Sequence, residues 1–285
     1  MPRGHCFGSQ LQAMYQSHWK MSCRPFDHGY DGRFFYPSQT HHGTMLKLRY
    51  AIENRRELAV LAGDSGTGKT LLVHHLLRSL SSENQPRCHI VFPRLPVAEL
   101  LVYVTDQLAG RVLEETVDLR TSVNRFENVV RSAVESGQHP VVVLDEAHLM
   151  SDPLALETFR LLLNFRHHDC CMFTLVLVGN RLLLSTLEGS LELQGRVDSC
   201  SLLQPLSIDE TIGYIQFRLA AVGVDQPIFD YAALEAIHYG ASGNPRVINR
   251  ICDLALLMGY AQERHEIGVE EVHAVVEEAI VPIVP

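Results

Sequence analysis

Gly63 Asp64 Ser65 Gly66 Thr67 Gly68 Lys69 Thr70 has the pattern G-x-x-x-x-G-K-[ST]. An apolar run, Leu58 to Ala62, stands before it and a segment of helical period after it. Three glycines permit the backbone angles that aim successive N–H groups at phosphate oxygens, and the helix beginning at Lys69 adds its positive end. Lys69 is then expected to reach the β and γ phosphates, and the Thr70 hydroxyl to ligate Mg²⁺. An incidental glycine-rich turn with a lysine would match by chance on the order of once in a thousand such sequences. Residues 63–70 are therefore read as a site for ATP with Mg²⁺.

A second acidic centre closes the run Val141 Val142 Val143 Leu144 Asp145 Glu146. In an open α/β sheet, ligands sit beyond such strand ends. Asp145 is expected to hold Mg²⁺ through water and Glu146 to polarise the attacking water, which implies hydrolysis. The tetrad Asp145 Glu146 Ala147 His148 invites comparison with helicases, but only about 80 residues follow the last strand candidate, short of a second motor domain. His148 is read as a contact at the strand-to-loop transition. Asn180, after the run Phe173 to Val178, either delivers its amide beside the γ-phosphate or caps the helix starting at Arg181. Arg196 and Arg246, taken singly, read as surface or ion-paired arginines. The pairs His41/His42, His74/His75 and His167/His168 lack a third ligand at metal spacing.

The elements that must position these groups alternate from Glu57 onward. Strand candidates are Leu58 to Ala62, Cys88 to Phe92, Val141 to Asp145, Phe173 to Val178 and Cys200 to Leu203. Helix candidates between them are Lys69 to Leu80, Val97 to Leu108, Val123 to Ser136 and Leu154 to Asn164. That rhythm specifies a parallel sheet sandwiched by helices. After Pro205 only helical period remains, at Ile208 to Val222, Tyr231 to Tyr239, Pro245 to Ala261 and Val269 to Ala279. The expected domains are an aromatic-rich segment, 1–50, packing on the core; a nucleotide-binding domain, 51–206; and a helical lid, 207–285.

The formal charge of −9 argues against a global attraction to nucleic acid or an anionic membrane. Only Lys20, Lys47 and Lys69 are lysines among 24 cationic residues, so one of three lies in the phosphate loop. Seven cysteines, an odd number without a C-x-x-C pair, indicate neither a disulfide framework nor a zinc site. No apolar run approaches the ~18 to 20 residues of a membrane-spanning helix, and Met1 to Gln10 has no signal layout. A cytoplasmic protein is expected.

Further motifs extend the pattern: Met14 Tyr15, Pro25 Phe26 and Arg33 Phe34 Phe35 Tyr36; Arg160 to Asn164; Leu177 Val178 Gly179 Asn180; Tyr214 Ile215 with Arg218 Leu219; and Gly243 Asn244 Pro245 Arg246 through Asp253. Together with the phosphate loop they resemble the AAA+ ATPases, and more narrowly the ExeA/GspA-type general secretion pathway ATPases, from about Met14 to Ala279. The resemblance implies Walker A contacts from Lys69 and Thr70 and a Walker B pair in Asp145 and Glu146. It implies sensor roles for Asn180 and Arg246 and, for Arg196, a finger reaching a neighbouring subunit's γ-phosphate. A homo-oligomer, ring or helical, follows from such a finger. Relatives often carry Gln at the positions of Asn180 and Gly195, and secretion-pathway members continue into a membrane helix and a peptidoglycan-binding domain. With Pro285 as its last residue, this chain is expected to be a stand-alone ATPase module.

Three functions fit that pattern. The first is an oligomeric ATPase moving its helical lid against a protein partner. The second is a DNA-associated AAA+ regulator of transposition or target selection, and the third a nucleotide-gated scaffold that does not hydrolyse. Intact Glu146 weighs against the third.

Overall fold

The computed structural model describes residues 15–27, 29, 31–80, 85–112, 118–150, 152–168 and 170–279. Met14, Tyr30 and the terminal segments read above lie outside them.

Five parallel strands form the sheet: β1 (Leu58–Gly63), β2 (Arg87–Ile90), β3 (Val141–Leu144), β6 (Thr174–Gly179) and β7 (Val197–Leu203), ordered β2-β3-β6-β1-β7. Every residue of β1, β3 and β6 is buried, as strands covered on both faces must be. Register aligns Ala62 with Gly179 and Leu144 with Leu177. The carboxyl ends of β1, β3 and β6 therefore lie side by side, which is where Gly63, Asp145 and Asn180 emerge.

Helices complete each crossover. They are α1 (Gln39–Glu53), α2 (Lys69–Ser79), α3 (Val97–Ala109), α4 (Leu119–Glu135), α5 (Pro153–Leu162), α6 (Arg181–Glu188) and α7 (Leu191–Gln194). Helix α4 starts where the Asp118 carboxylate accepts the Thr121 N–H at 2.8 Å, and it buries Ser122, Phe126, Val130 and Ala133 along one stripe. Asp152 caps α5 through Leu154 N–H at 2.9 Å and accepts Val97 N–H at 3.0 Å, tying two helix starts together. Expectation named only the start of α6, at Arg181, and missed α1, α7 and a hairpin of β4 (Arg166–His167) with β5 (Cys170–Cys171). Helix α1 buries His41, Thr44, Leu48, Ala51 and Ile52. That spacing is helical, but two polar members disguise the stripe.

The chain divides into two compact units. One comprises Gln39–Ser65 and Lys69–Gln204; the other takes in the described parts of Met1–Ser38, Gly66–Gly68 and the described parts of Pro205–Pro285. The expected boundaries shift accordingly: Gln39–Glu53 goes with the sheet, whereas the aromatics before it go with the helices. The physical reason is burial. Tyr15, Trp19, Phe26 and Phe34 share one core with Ile215, Ile237, Ile251 and Leu256 of the C-terminal helices.

Those helices are α8 (Ile208–Ala220), α9 (Tyr231–Ala241), α10 (Pro245–Ala261) and α11 (Val269–Ala279). Helix α8 opens on a capping box, with Glu210 N–H donating to Ser207 Oγ at 3.2 Å and Ser207 N–H to Glu210 Oε2 at 3.0 Å. Buried Arg218 donates to Tyr214 Oη at 2.5 Å and to the Asp27 carbonyl at 3.1 Å, with its guanidinium carbon 4.8 Å from the Phe34 ring centre. Tyr214 in turn donates to Asn249 Oδ1 at 2.7 Å. The aromatic segment thus encloses a charge whose two Nη atoms have polar partners, while its buried Nε has none among the described residues. Gly243, at φ +68°, meets Leu206 so closely that an added Cβ would lie 2.1 Å from its carbonyl oxygen.

Candidate nucleotide site

The phosphate loop joins β1 to α2, and Gly66 and Gly68 adopt φ of +86° and +95°, a region that L side chains rarely enter. Lys69, buried at the first turn of α2, donates from Nζ to the carbonyls of Gly63 at 2.8 Å and Asp64 at 3.0 Å. Thr67, within the loop, is fully buried. Arg181 grips Asp64 with two hydrogen bonds, 2.8 Å from Nε and 3.2 Å from Nη2, and these hold the Asp64 carboxyl below its ordinary range. That pair links the loop to the first turn of α6, and no motif in the sequence announced it.

Asp145 leaves the end of β3 with only 1% of its surface exposed. Its Oδ2 accepts the Thr70 hydroxyl at 2.8 Å and lies 3.3 Å from His89 Nε2; its Oδ1 accepts the Glu146 N–H at 2.8 Å. Burial alone would raise its proton affinity, but the donors from His89, Thr70 and Glu146 outweigh burial and lower it, so Asp145 stays ionised. His89, on the neighbouring strand β2, escaped the sequence reading because a lone strand histidine carries no motif.

Glu146 adopts φ 51° and ψ 35°, a left-handed conformation that costs a non-glycine residue about 1–2 kcal/mol. It is held there by its own N–H on Asp145 and by its carbonyl, which accepts Leu149 N–H at 2.8 Å. Its carboxylate stays partly exposed, with Oε2 3.5 Å from His148 Nδ1. Of the two readings of Asn180, the capping contact is the one present. Its Oδ1 caps α6 by accepting Leu182 N–H at 2.9 Å, and its Nδ2 makes no hydrogen bond among the described residues.

Arg196 stands elsewhere. It donates to Glu57 Oε2 at 2.8 Å and to Asn164 Oδ1, and Glu57 also receives Arg166. Val197 pairs with Leu58, at the opposite end of β1 from the phosphate loop. Five residues at ~3.3 Å each put roughly 16 Å between them, so Arg196 is not brought to its own chain's loop. Arg246 is exposed in the first turn of α10, where its N–H donates to Asn244 Oδ1 at 3.0 Å. Among the described residues no group of three or more His, Cys, Asp or Glu side chains that could hold a metal ion exists. No helix among them is long and apolar enough to cross a membrane.

The donor set fits a nucleotide with Mg²⁺. A hydroxyl and an ionised, buried carboxylate meet beside a lysine at a glycine-turned loop, with a partly exposed carboxylate next in sequence. Fold and site together define a P-loop NTPase of the AAA+ type. Residues 52–187 match the family described as AAA domain. The chain is 31% identical over 257 residues to General secretion pathway protein A of Aeromonas hydrophila, covering 89% of this chain and 46% of that protein. That likeness supports an ExeA-like AAA+ ATPase, and the chain spans about half the length of that relative. In fold it is similar to the ORC2 protein of Aeropyrum pernix in ADPNP–ADP complexes, with 17% identity and a TM-score of 0.67 over 92% of this chain and 72% of that one. It is likewise similar to Cdc6p of Pyrobaculum aerophilum, with 18% identity and a TM-score of 0.70 over 91% and 71%.

Proposed function

We propose that the chain is a Mg²⁺-dependent ATPase that couples hydrolysis to conformational change in a homo-oligomer acting on a protein partner. The observation that carries this reading is the hydrogen bond between Thr70 and Asp145 beside Lys69, because it joins the two halves of a hydrolytic site within one chain. Lys69 would bind the β and γ phosphates together with the loop's N–H groups, and Thr70 and Asp145 would hold the cation. Mg²⁺ supplies charge neutralisation across the phosphates when bound. Glu146 orients the attacking water and draws its proton, and Asn180 Nδ2 is the nearby amide that fits the γ-phosphate side. Arg246 serves as the second sensor.

The oligomer rests on Arg196. Its distance from its own loop supports a role in trans, at the site of a neighbouring copy. The protein partner rests on likeness to a protein named for general secretion. Phosphate release should vanish in Lys69→Ala and in Glu146→Gln, while Glu146→Gln should retain ATP. Turnover undiminished in both variants would overturn the reading.

A further inference from the structure

His148 follows Glu146 by two residues, in the 3-10 turn Ala147–Leu149, and only 10% of its side chain is exposed. Its Nδ1 accepts the main-chain N–H of Asn180 at 3.3 Å. The same atom lies 3.5 Å from Glu146 Oε2. A ring nitrogen carries either a lone pair or a proton, so Nδ1 cannot accept from Asn180 and donate to Glu146 at once. With the lone pair on Nδ1, the tautomer assigned from the Asn180 hydrogen bond, the ring faces the carboxylate lone pairs and repels them. With a proton on Nδ1, the ring would bind Glu146 and strand the Asn180 N–H. Close packing keeps the ring at this choice, since a Cβ on Gly179 would lie 3.1 Å from Nδ1.

We propose that His148 is a positioning residue for the ATPase reaction, an inference that rests on the reading of Glu146 given above. By taking the Asn180 N–H, the neutral ring keeps the Glu146 carboxylate off itself and available to water. The end of β6 and the turn after β3 are thereby coupled.

The test uses the full chain with His148→Phe, which keeps a ring without a nitrogen, and His148→Asn, whose Oδ1 falls near the place of Nδ1. The Phe variant should lose at least about tenfold in kcat with KM for ATP changed less than about twofold, and the Asn variant should recover most of the loss. Thermal midpoints of both variants separate this from unfolding, and if the Phe variant does not fold, the Asn variant and the ring itself decide. In the nucleotide-free protein, ¹⁵N NMR should find the neutral ring of His148 protonated at Nε2. Unchanged kcat in a folded Phe variant, or a neutral ring protonated at Nδ1, overturns the proposal. If Glu146→Gln abolishes turnover while His148→Phe does not, this inference falls and the ATPase reading stands; if Glu146→Gln leaves turnover intact, the reading of Glu146 on which this inference rests falls.

Discussion

Thr70 and Asp145 are 75 residues apart in sequence, yet the hydroxyl donates to the carboxylate at 2.8 Å. Thr70 sits in the first turn of α2, reached from β1, and Asp145 follows β3; β6 lies between those two strands in the sheet. Thr70→Val keeps the shape and removes the oxygen. Mg²⁺-supported ATP affinity should fall about 10- to 100-fold, while affinity measured in chelator should change little. Titration of a fluorescent ATP analogue under both conditions checks this, and equal losses with and without Mg²⁺ would separate Thr70 from the cation.

Arg196 carries a prediction about assembly. If it completes a neighbour's site, Arg196→Ala and Lys69→Ala are each inactive, but a mixture is not, because a Lys69→Ala subunit still offers its arginine to the intact loop of an Arg196→Ala subunit. Phosphate release from the two purified variants, alone and combined, reads this directly. A mixture as silent as its parts would confine Arg196 to its ion pair with Glu57.

How much of this was legible follows from how local each signal is. The loop 63–70 and the strand ending at Asp145 are contiguous motifs, and the structure puts them where contiguity implies. Strand limits moved by one to three residues, as with Val197–Leu203, because its exposed Asp198 and Cys200 weaken the apolar run. The contacts that tune the site were not legible: His89 on Asp145, Arg181 on Asp64, and His148 between Glu146 and Asn180. Each joins different elements and depends on sheet order and register, which no spacing encodes. The aromatics of residues 15–36 were visible as buried-type residues, but nothing local told which core they would enter.

Trp19 tests that assignment. Its ring is buried, its indole N–H donates to the Leu256 carbonyl at 3.0 Å, and a Cβ on Gly259 would lie 3.0 Å from the ring. Trp19→Ala should destabilise the helical unit by about 3–5 kcal/mol, and Trp19→Phe, which chiefly loses the hydrogen bond, by about 1–2 kcal/mol. Urea unfolding followed by circular dichroism measures both. A Trp19→Ala protein as stable as the parent would show that the segment is not part of that core. Trp19 is also the chain's one tryptophan, so its fluorescence reports on this unit in the parent protein.

His139 makes stability depend on pH. It is buried just before β3, its Nε2 bonds Thr174 Oγ1 at 2.8 Å, and Thr174 donates onward to the Arg56 carbonyl at 2.7 Å. The threonine oxygen therefore accepts from Nε2–H, and buried Nδ1 has no partner among the described residues. Burial, aided by the charge of Arg55, lowers the imidazole from 6.5 to about 4. The sign follows from which state holds the proton: between those values the unfolded chain binds it and the folded chain does not, so stability falls as pH falls through that window. Above about 6.5 the histidine contributes no slope. From pH 7 to pH 5 this one group should remove about 2 kcal/mol. His139→Gln, which keeps a donor toward Thr174 and cannot titrate, should flatten the curve by that amount. Urea midpoints at several pH values test it; parallel curves for parent and variant would mean that the folded protein protonates His139 as readily as the unfolded chain does.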